Sequence, residues 1–218
     1  LEVDAEQPPL SPRRWLERLP QWIPEETIKA YEGFWPNAQE PLGDLLLFKL
    51  EKEIHQYAQE IALAKLAHHP GVRAAFWDKG VEGEFRVRNL EPLAARHDGE
   101  VIDMAELNRL EPDERAVLLS TRTRVREHGV DIEIDPGTAF FSHRLQGERA
   151  RTIDSAISLR ERLGRPIAVA DPYCGVGPAL VHLLAQTDLI GDMLASDLNP
   201  EAVEILHTNL ARKGVTDL

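Results

Sequence analysis

A turn with two glycines at alternate positions separates an apolar stretch from a helix-like one. Residues 171–178 read Asp-Pro-Tyr-Cys-Gly-Val-Gly-Pro and follow the apolar residues 167–170. Glycine lets the backbone turn tightly and lets a ligand approach without interference from a Cβ atom. The Gly-x-Gly-x-x-Gly pattern of dinucleotide sites and the Gly-Lys-Ser/Thr pattern of phosphate loops are both absent. We therefore predict a nucleotide-like cofactor of a different kind. The residues predicted to contact it are Asp171, Pro172, Tyr173, Cys174, Gly175 and Gly177.

An acidic residue follows the next apolar stretch. Asp197 comes after residues 193–196, and Leu198, Asn199 and Pro200 follow it. A carboxylate at the end of a parallel strand can accept hydrogen bonds from two ribose hydroxyls; the alternative is an acid on a solvated loop. Asn199 suits a helix cap, and Pro200 suits the first helical position. We assign Asp197, Leu198 and Asn199 to the same cofactor as the glycine turn.

The elements around these two loops alternate between helix and strand. The apolar patterns predict helices over 147–163, 179–186 and 200–213, and strands over 129–135, 167–170 and 193–196. This order is typical of the opening of a doubly wound parallel sheet. We predict an α/β, Rossmann-like domain over residues 129–218, of which the chain carries the first half.

The earlier residues predict an arm and a smaller α+β domain. Residues 1–40 contain six prolines and three tryptophans, so only short helices are expected there, at 12–19 and 24–32. Residues 41–128 form the predicted α+β domain. It has a helix at 51–68, a helix-like but ambiguous segment at 105–120, a turn at 80–83, and strands at 45–50, 72–77, 84–90 and 101–104.

Further motifs complete a resemblance to a known family. The glycine turn and Asp197 resemble motifs I and II of class I methyltransferases. Residues 83–88, Gly-Glu-Phe-Arg-Val-Arg, and 140–149, Phe-Phe-Ser-His-Arg-Leu-Gln-Gly-Glu-Arg, are similar to a narrower group. That group is the archaeal and eukaryotic tRNA (guanine-N1)-methyltransferases acting at position 37, with the related aminocarboxypropyltransferases of the wybutosine pathway. The chain departs from the family at His143, where the family has Pro, and at Tyr173 and Cys174, where it has Phe-Ala.

The resemblance implies a function in tRNA modification. The expected cofactor is S-adenosyl-L-methionine, the expected partner is tRNA, docked by residues 41–128, and the expected reaction is N1-methylation of guanosine 37. Aminocarboxypropyl transfer and a non-catalytic cofactor- or RNA-binding module are the alternatives. The family's Asn-Leu-Pro or Asn-Pro-Pro loop would lie beyond Leu218, so we expect this chain alone to be inactive.

Arg144 is the candidate catalytic residue. It stands among the apolar residues Phe140, Phe141 and Leu145, where a guanidinium can stabilise negative charge on the guanine O6 as N1 loses its proton. The alternative is an ion pair with Glu148, one helical turn away. We interpret Arg149 and Glu148 as structural residues that hold the following helix.

The distribution of basic residues suggests where RNA would bind. The net charge of −12 argues against a nonspecific, phosphate-coating DNA-binding protein. Yet 12 of the 19 arginines fall between Arg73 and Arg151, and arginine suits phosphate and base contacts. The alternate spacing of residues 122–126 would place three guanidiniums on one face of an extended chain. Either an RNA contact or a solvated strand edge explains them. The candidate RNA-binding residues are Arg86, Arg88, Arg122, Arg124 and Arg126.

The remaining composition bounds the setting of the protein. Cys174 is the single cysteine, so an internal disulfide and a cysteine-based zinc site are excluded, and a cytoplasmic location is expected. No apolar run approaches the roughly 20 residues that cross a bilayer. We predict no bound metal and no membrane contact, and we favour a monomer.

Overall fold

The computed structural model describes residues 14–215, and these divide into two compact units. The first unit takes in residues 14–40, 46–77 and 92–119; the second takes in residues 41–45, 78–91 and 120–215. Among the described residues, no helix is both long and apolar enough to cross a membrane. The domain division at 1–40, 41–128 and 129–218 stays a prediction.

Short helices and one buried helix build the first unit. Its helices include α1 (Glu25–Ala30), α2 (Ala58–His68) and the 3-10 helices Trp15–Glu17, Leu19–Gln21 and Lys52–Tyr57. The predicted helix over 51–68 is therefore confirmed in extent, although its first turns are 3-10. The helix predicted over 12–19 begins outside the described residues. Trp15 and Trp35 pack in the same core as Ile54, Ile61 and Leu66 of this helical region.

The segment at 105–120 is helical. It forms α3 (Met104–Leu107) and α4 (Pro112–Leu119). Asp103 caps α3 through a capping box, because its carboxylate accepts from the Glu106 N–H while the Glu106 side chain accepts from the Asp103 N–H.

Five strands form one sheet in chain order. They are β1 (Glu40–Leu42), β2 (Leu45–Phe48), β3 (Ala74–Glu82), β4 (Val87–His97) and β5 (Glu100–Asp103). The predicted turn at 80–83 is wrong. Gly80 stays within β3, where its N–H donates to Asp78 Oδ1 at 2.9 Å, and the chain turns at residues 83–86. Glu84, Phe85 and Arg86 therefore lie on a turn rather than on a strand.

A hairpin opens the main part of the second unit. Strands β6 (Thr123–Glu127) and β7 (Val130–Ile134) pair antiparallel, with Thr123 opposite Ile134. His128 and Gly129, both with positive φ, make the two-residue turn. β7 confirms the strand predicted over 129–135. β6 is harder to detect from sequence because arginines occupy its exposed positions. Its pairing with β7 joins residues on both sides of residue 128.

A strand–helix–strand–helix succession follows. After α5 (Gln146–Leu163) come β8 (Ile167–Asp171), α6 (Pro178–Leu184), β9 (Ile190–Ala195) and α7 (Pro200–Ala211). β8 and β9 pair in parallel, with Val169 opposite Met193. Apolar side chains of α5, α6 and α7 pack with these strands in one core. The predicted α/β class is confirmed.

Candidate functional site

The carboxyl ends of β8 and β9 meet at the glycine turn. The Ser196 N–H donates to the Asp171 carbonyl at 3.0 Å, and the Cys174 N–H donates to the Ser196 carbonyl at 3.1 Å. Beyond them, the Gly175 N–H donates to Oδ2 of Asp197 at 2.7 Å. The two motifs identified in the sequence therefore form a single structure.

Asp197 holds two loops at once. In addition to Gly175, its carboxylate accepts the N–H of Asn199 on Oδ1 at 2.9 Å. Each carboxylate oxygen can accept about two hydrogen bonds, so both oxygens keep a lone pair for a ligand hydroxyl. The arrangement fits the predicted ribose contact, which stays a prediction, and it adds a structural role.

Asn199 caps the helix that follows. Its Oδ1 accepts the N–H of Glu201 at 3.1 Å, and its Nδ2 donates to the Thr138 carbonyl at 2.7 Å. Pro200 occupies the first helical position. The predicted cap is confirmed, and burial of the Asn199 side chain in these contacts fixes the loop that carries Asp197.

An open cavity of about 380 Å³ lies beside these loops. Of the predicted cofactor residues, Tyr173, Gly175, Asp197, Leu198 and Asn199 line it. Tyr173 and Leu198 are each 81% exposed. A Cβ atom on Gly175 would meet only the Phe140 carbonyl oxygen, at 3.9 Å, so the space beside this glycine is open to a ligand.

The other predicted cofactor residues do not line this cavity. A Cβ atom on Gly177 would stand 2.3 Å from Leu206 Cδ1 in the core, and the φ of Gly177 is +76°. The positive φ favours glycine here, and a side chain at this position would displace Leu206 from the core, so Gly177 has a structural role whatever the ligand. Asp171 accepts the Tyr173 N–H at 3.3 Å. The assignment of Asp171, Pro172, Cys174 and Gly177 to a cofactor stays a prediction.

Cys174 has the environment of a buried thiol. Burial raises its pKa to about 11, and the carboxylates of Asp171 and Asp197 act in the same direction. The thiolate is the nucleophilic form of cysteine. Cys174 is therefore a poor candidate for a nucleophile at neutral pH.

Arg144 is exposed in the 3-10 helix His143–Leu145, just before α5. Within residues 14–215 its guanidinium makes no hydrogen bond or ion pair, and only its N–H is engaged, by Ser142 Oγ at 3.3 Å. The alternative ion pair with Glu148 is wrong, because Glu148 pairs with Arg151 instead. Arg144 does not line the 380 Å³ cavity, and its catalytic role stays a prediction.

Arg149, by contrast, is buried in a polar cluster. Its Nε and Nη2 donate to the two oxygens of Glu127 at 2.9 and 2.5 Å, and Nη2 also reaches the Ser142 carbonyl at 3.2 Å. His143 Nδ1 lies 3.1 Å from Oε1 of the same carboxylate. The structural interpretation of Arg149 is confirmed, and the cluster fixes the segment that presents Arg144.

His182 completes this cluster from α6. Its Nε2 lies 3.5 Å from Oε2 of Glu127, which is too long for a well-formed hydrogen bond. Burial acts to raise the pKa of Glu127, but His182 and Arg149 beside the carboxylate outweigh it and lower that pKa to about 2. Glu127 is therefore a permanent buried anion at neutral pH.

Comparison with known proteins identifies the relatives of this chain. Residues 16–99 match the model of the TYW2 N-terminal domain family. Across its whole length the chain is 28% identical to the tRNA (guanine(37)-N(1))-methyltransferase Trm5b of Pyrococcus abyssi and covers 55% of that protein. The predicted family resemblance is confirmed. The chain spans about half the length of the curated relatives it matches.

Solved structures share the fold. A complex of aTrm5 with tRNALeu superposes with a TM-score of 0.68 at 24% identity, covering 98% of this chain and 54% of that one. Pyrococcus horikoshii TYW2 in complex with MeSAdo gives a TM-score of 0.63 at 21% identity, over 94% of this chain and 60% of that one. These neighbours confirm the predicted fold.

The arginines predicted to bind RNA differ in their partners. Arg88 donates to Asp78 at 3.2 Å, and Arg122 donates to Glu133 at 2.6 Å. The Nε of Arg126 lies 3.8 Å from Asp131. Arg86 and Arg124 are exposed without a carboxylate partner among the described residues. The RNA contact stays a prediction for Arg86, Arg88, Arg122, Arg124 and Arg126.

Two features of the site have no clear counterpart in the sequence patterns. Asn209 of α7 accepts the Glu133 N–H at 2.8 Å and donates to the carbonyls of Glu133 and Val176, both at 2.9 Å. A single asparagine thus joins β7 to the glycine turn. The second feature is that Glu84, Phe85 and Arg86 line the cavity. The motif at residues 83–88 drew attention to this segment, but nothing in the sequence placed it beside the glycine turn.

Proposed function

We propose that this chain binds S-adenosyl-L-methionine and serves the N1-methylation of guanosine 37 in tRNA. One observation carries the proposal. The Gly175 N–H donates a hydrogen bond to Asp197 at the carboxyl ends of two parallel strands, and both residues line an open cavity. In α/β sheets this crevice is where nucleotide ligands bind. The name of the Pyrococcus abyssi relative supports the reaction.

The residues around the cavity fit this cofactor. Its volume of about 380 Å³ is in the range of small-molecule sites. Asp197 offers two acceptors to the ribose hydroxyls, and the exposed side chains of Leu198 and Tyr173 offer apolar surface to the adenosyl and aliphatic parts. When bound, S-adenosylmethionine supplies a methyl group activated by a sulfonium.

The chain's own residues would orient the partners and stabilise charge. Arg144 is free to donate to the guanine O6 while N1 loses its proton, which would stabilise the anionic base. The buried Glu127–Arg149 pair would keep the segment that carries Arg144 in one conformation. Residues 41–128, with the exposed Arg86 and with Arg124 and Arg126, are proposed to dock tRNA, and a cytoplasmic location is proposed with them.

Aminocarboxypropyl transfer is the second candidate. The match of residues 16–99 to the TYW2 N-terminal domain model favours it. The two reactions use the same cofactor and differ in the carbon atom that is attacked. Full-length protein incubated with tRNA and S-adenosylmethionine labelled either in the methyl group or in the carboxyl group separates them: methyl label in tRNA supports methylation, and carboxyl label supports the alternative.

Cofactor binding is tested on the chain itself by isothermal titration with S-adenosylmethionine. The variant Asp197→Ala removes charge-assisted hydrogen bonds worth about 1.5–3 kcal/mol, so we expect roughly 10- to 150-fold weaker binding. Asp192→Ala, an exposed acid of the same strand β9, is the matched control and should bind as wild type. A wild-type chain that does not bind the cofactor would refute the proposal.

A further inference from the structure

The turn between β3 and β4 is built to hold one conformation. Gly83 and Arg86 both have positive φ, +65° and +53°, and the Arg86 N–H donates to the Gly83 carbonyl at 3.3 Å. Positive φ is uncommon for arginine. A non-glycine residue held there points to a turn whose shape is determined by its surroundings.

Contacts within the second unit anchor this turn. The Arg86 guanidinium lies over the Phe140 ring at 5.5 Å. At the start of β4, the Arg88 N–H donates to the Pro136 carbonyl at 3.0 Å, and the Arg88 side chain pairs with Asp78 at 3.2 Å. These contacts hold the turn in place against residues 136–140.

The turn presents two exposed side chains to the cavity. Phe85 is 37% exposed. Glu84 is exposed and makes no hydrogen bond or ion pair with any residue from 14 to 215. Glu84 and Phe85, together with Leu198, line both the 380 Å³ cavity and an adjoining one of about 370 Å³. These three residues share the border of the two cavities.

The position of Leu198 indicates which part of a nucleoside lies at this border. Leu198 directly follows Asp197, the proposed ribose contact, and both line the 380 Å³ cavity, so a base attached to that ribose would lie within reach of Leu198. The residues that share this border with Leu198 are an aromatic ring and a carboxylate. An aromatic ring can stack on a base, and a carboxylate is an acceptor only.

We propose that the β3–β4 turn recognises the adenine base: Phe85 stacks on it, and Glu84 accepts a hydrogen bond from its N6 amino group. This inference rests on the proposed function, because it assumes an adenosyl ligand at Asp197. A base with an oxygen at position 6 presents an acceptor to an acceptor. The turn thereby selects adenine over hypoxanthine and guanine.

The test titrates the chain with S-adenosylhomocysteine and with S-inosylhomocysteine, which carries oxygen in place of N6. Loss of one base stack costs about 1–3 kcal/mol, so Phe85→Ala should weaken S-adenosylhomocysteine binding by roughly tenfold or more. Glu84→Gln can donate to the inosyl oxygen, so the preference for the adenosyl ligand should fall by about tenfold. Val81→Ala, an exposed residue of β3 outside both cavities, is the control.

The outcomes separate this inference from the proposed function. Wild-type binding with unchanged affinity in Phe85→Ala and unchanged preference in Glu84→Gln would overturn the role of the turn and leave cofactor binding intact. A wild-type chain that binds neither ligand would overturn the proposed function and the inference with it. Thermal melts of the three variants, expected to match wild type because all three sites are exposed, show that any loss is local.

Discussion

The core of the first unit and the glycine-turn region of the second differ in what they bury. The first unit buries tryptophan, leucine and isoleucine side chains, and Lys65 is its exception. The second unit buries Glu127, Arg149, His182 and Asn209 close to loops that leave Tyr173 and Leu198 exposed. Buried polar groups and exposed apolar groups are the informative departures from the usual arrangement. Their concentration in one region marks it as the part of the chain organised for binding.

The largest effect is expected at Glu127. Its removal in Glu127→Ala leaves the Arg149 guanidinium buried without its partner, which typically costs about 3–5 kcal/mol. Urea unfolding of the chain measures this loss. Glu148→Ala breaks the exposed pair with Arg151 and should change the free energy of unfolding by no more than about 1 kcal/mol. Equal effects in the two variants would contradict the contrast between buried and exposed pairs.

The same carboxylate gives a pH dependence. The pKa of Glu127 is about 2 in the fold and 4.5 without it, so its stabilising effect is complete above pH 4.5 and is lost as pH falls toward 2. Unfolding measured between pH 5 and pH 2 should show this loss in wild type, and Glu127→Gln should flatten the curve.

Asn209 is expected to have the next largest effect. Asn209→Leu removes the partners of three backbone groups of Glu133 and Val176. Each buried group left without a hydrogen bond costs about 1–3 kcal/mol, so we expect a loss of at least about 2 kcal/mol in the free energy of unfolding. His207→Leu, at an exposed position of the same helix, should stay within about 0.5 kcal/mol of wild type. A small effect at Asn209 would mean that water replaces its bonds.

Lys65 provides the corresponding test in the first unit. Its Nζ donates to the Pro36 carbonyl at 3.1 Å and to Gln39 Oε1 at 2.8 Å, but burial lowers its pKa from 10.5 to about 7. The unfolded chain then binds more protons between pH 7 and 10.5, so stability should rise with pH in that window, by at most about 1.4 kcal/mol per pH unit. Melts at pH 7, 8 and 9 should show the rise in wild type, and Lys65→Met should abolish it.

The same contrast explains how far sequence reasoning reaches. Apolar patterns located α2, α5, α7 and β8, although α2 is buried around most of its circumference rather than along one face. The short-range motifs located Asp197 and the Asn199 cap, because cap and strand-end chemistry is local. Glu127 and Asn209 escaped, since their hydrogen-bond partners lie from 16 to 76 positions away in the chain. The turn at 83–86 escaped because Gly80 is tolerated inside β3 and Arg86 adopts a positive φ that its residue type does not indicate.

The smallest effect on stability is expected at Arg144. Its guanidinium is exposed and without a partner in the described part of the chain, so Arg144→Ala should change the free energy of unfolding by no more than about 0.5 kcal/mol. Arg149→Ala, on the following helix α5, should lower the free energy of unfolding several times more, because it leaves the buried Glu127 carboxylate without its partner. Urea unfolding of both variants measures the difference.

The effect of Arg144 on the rate of methylation should be large, in contrast to its small effect on stability. If Arg144 meets negative charge on the guanine O6, its contribution grows in the transition state. Loss of such a donor costs about 100- to 1000-fold in rate. Single-turnover methylation of tRNA by full-length protein measures it, and Arg144→Lys should rescue poorly because an ammonium lacks the planar fork of arginine. A rate within about threefold of wild type would remove Arg144 from the reaction, and a loss confined to tRNA affinity would make it a phosphate contact.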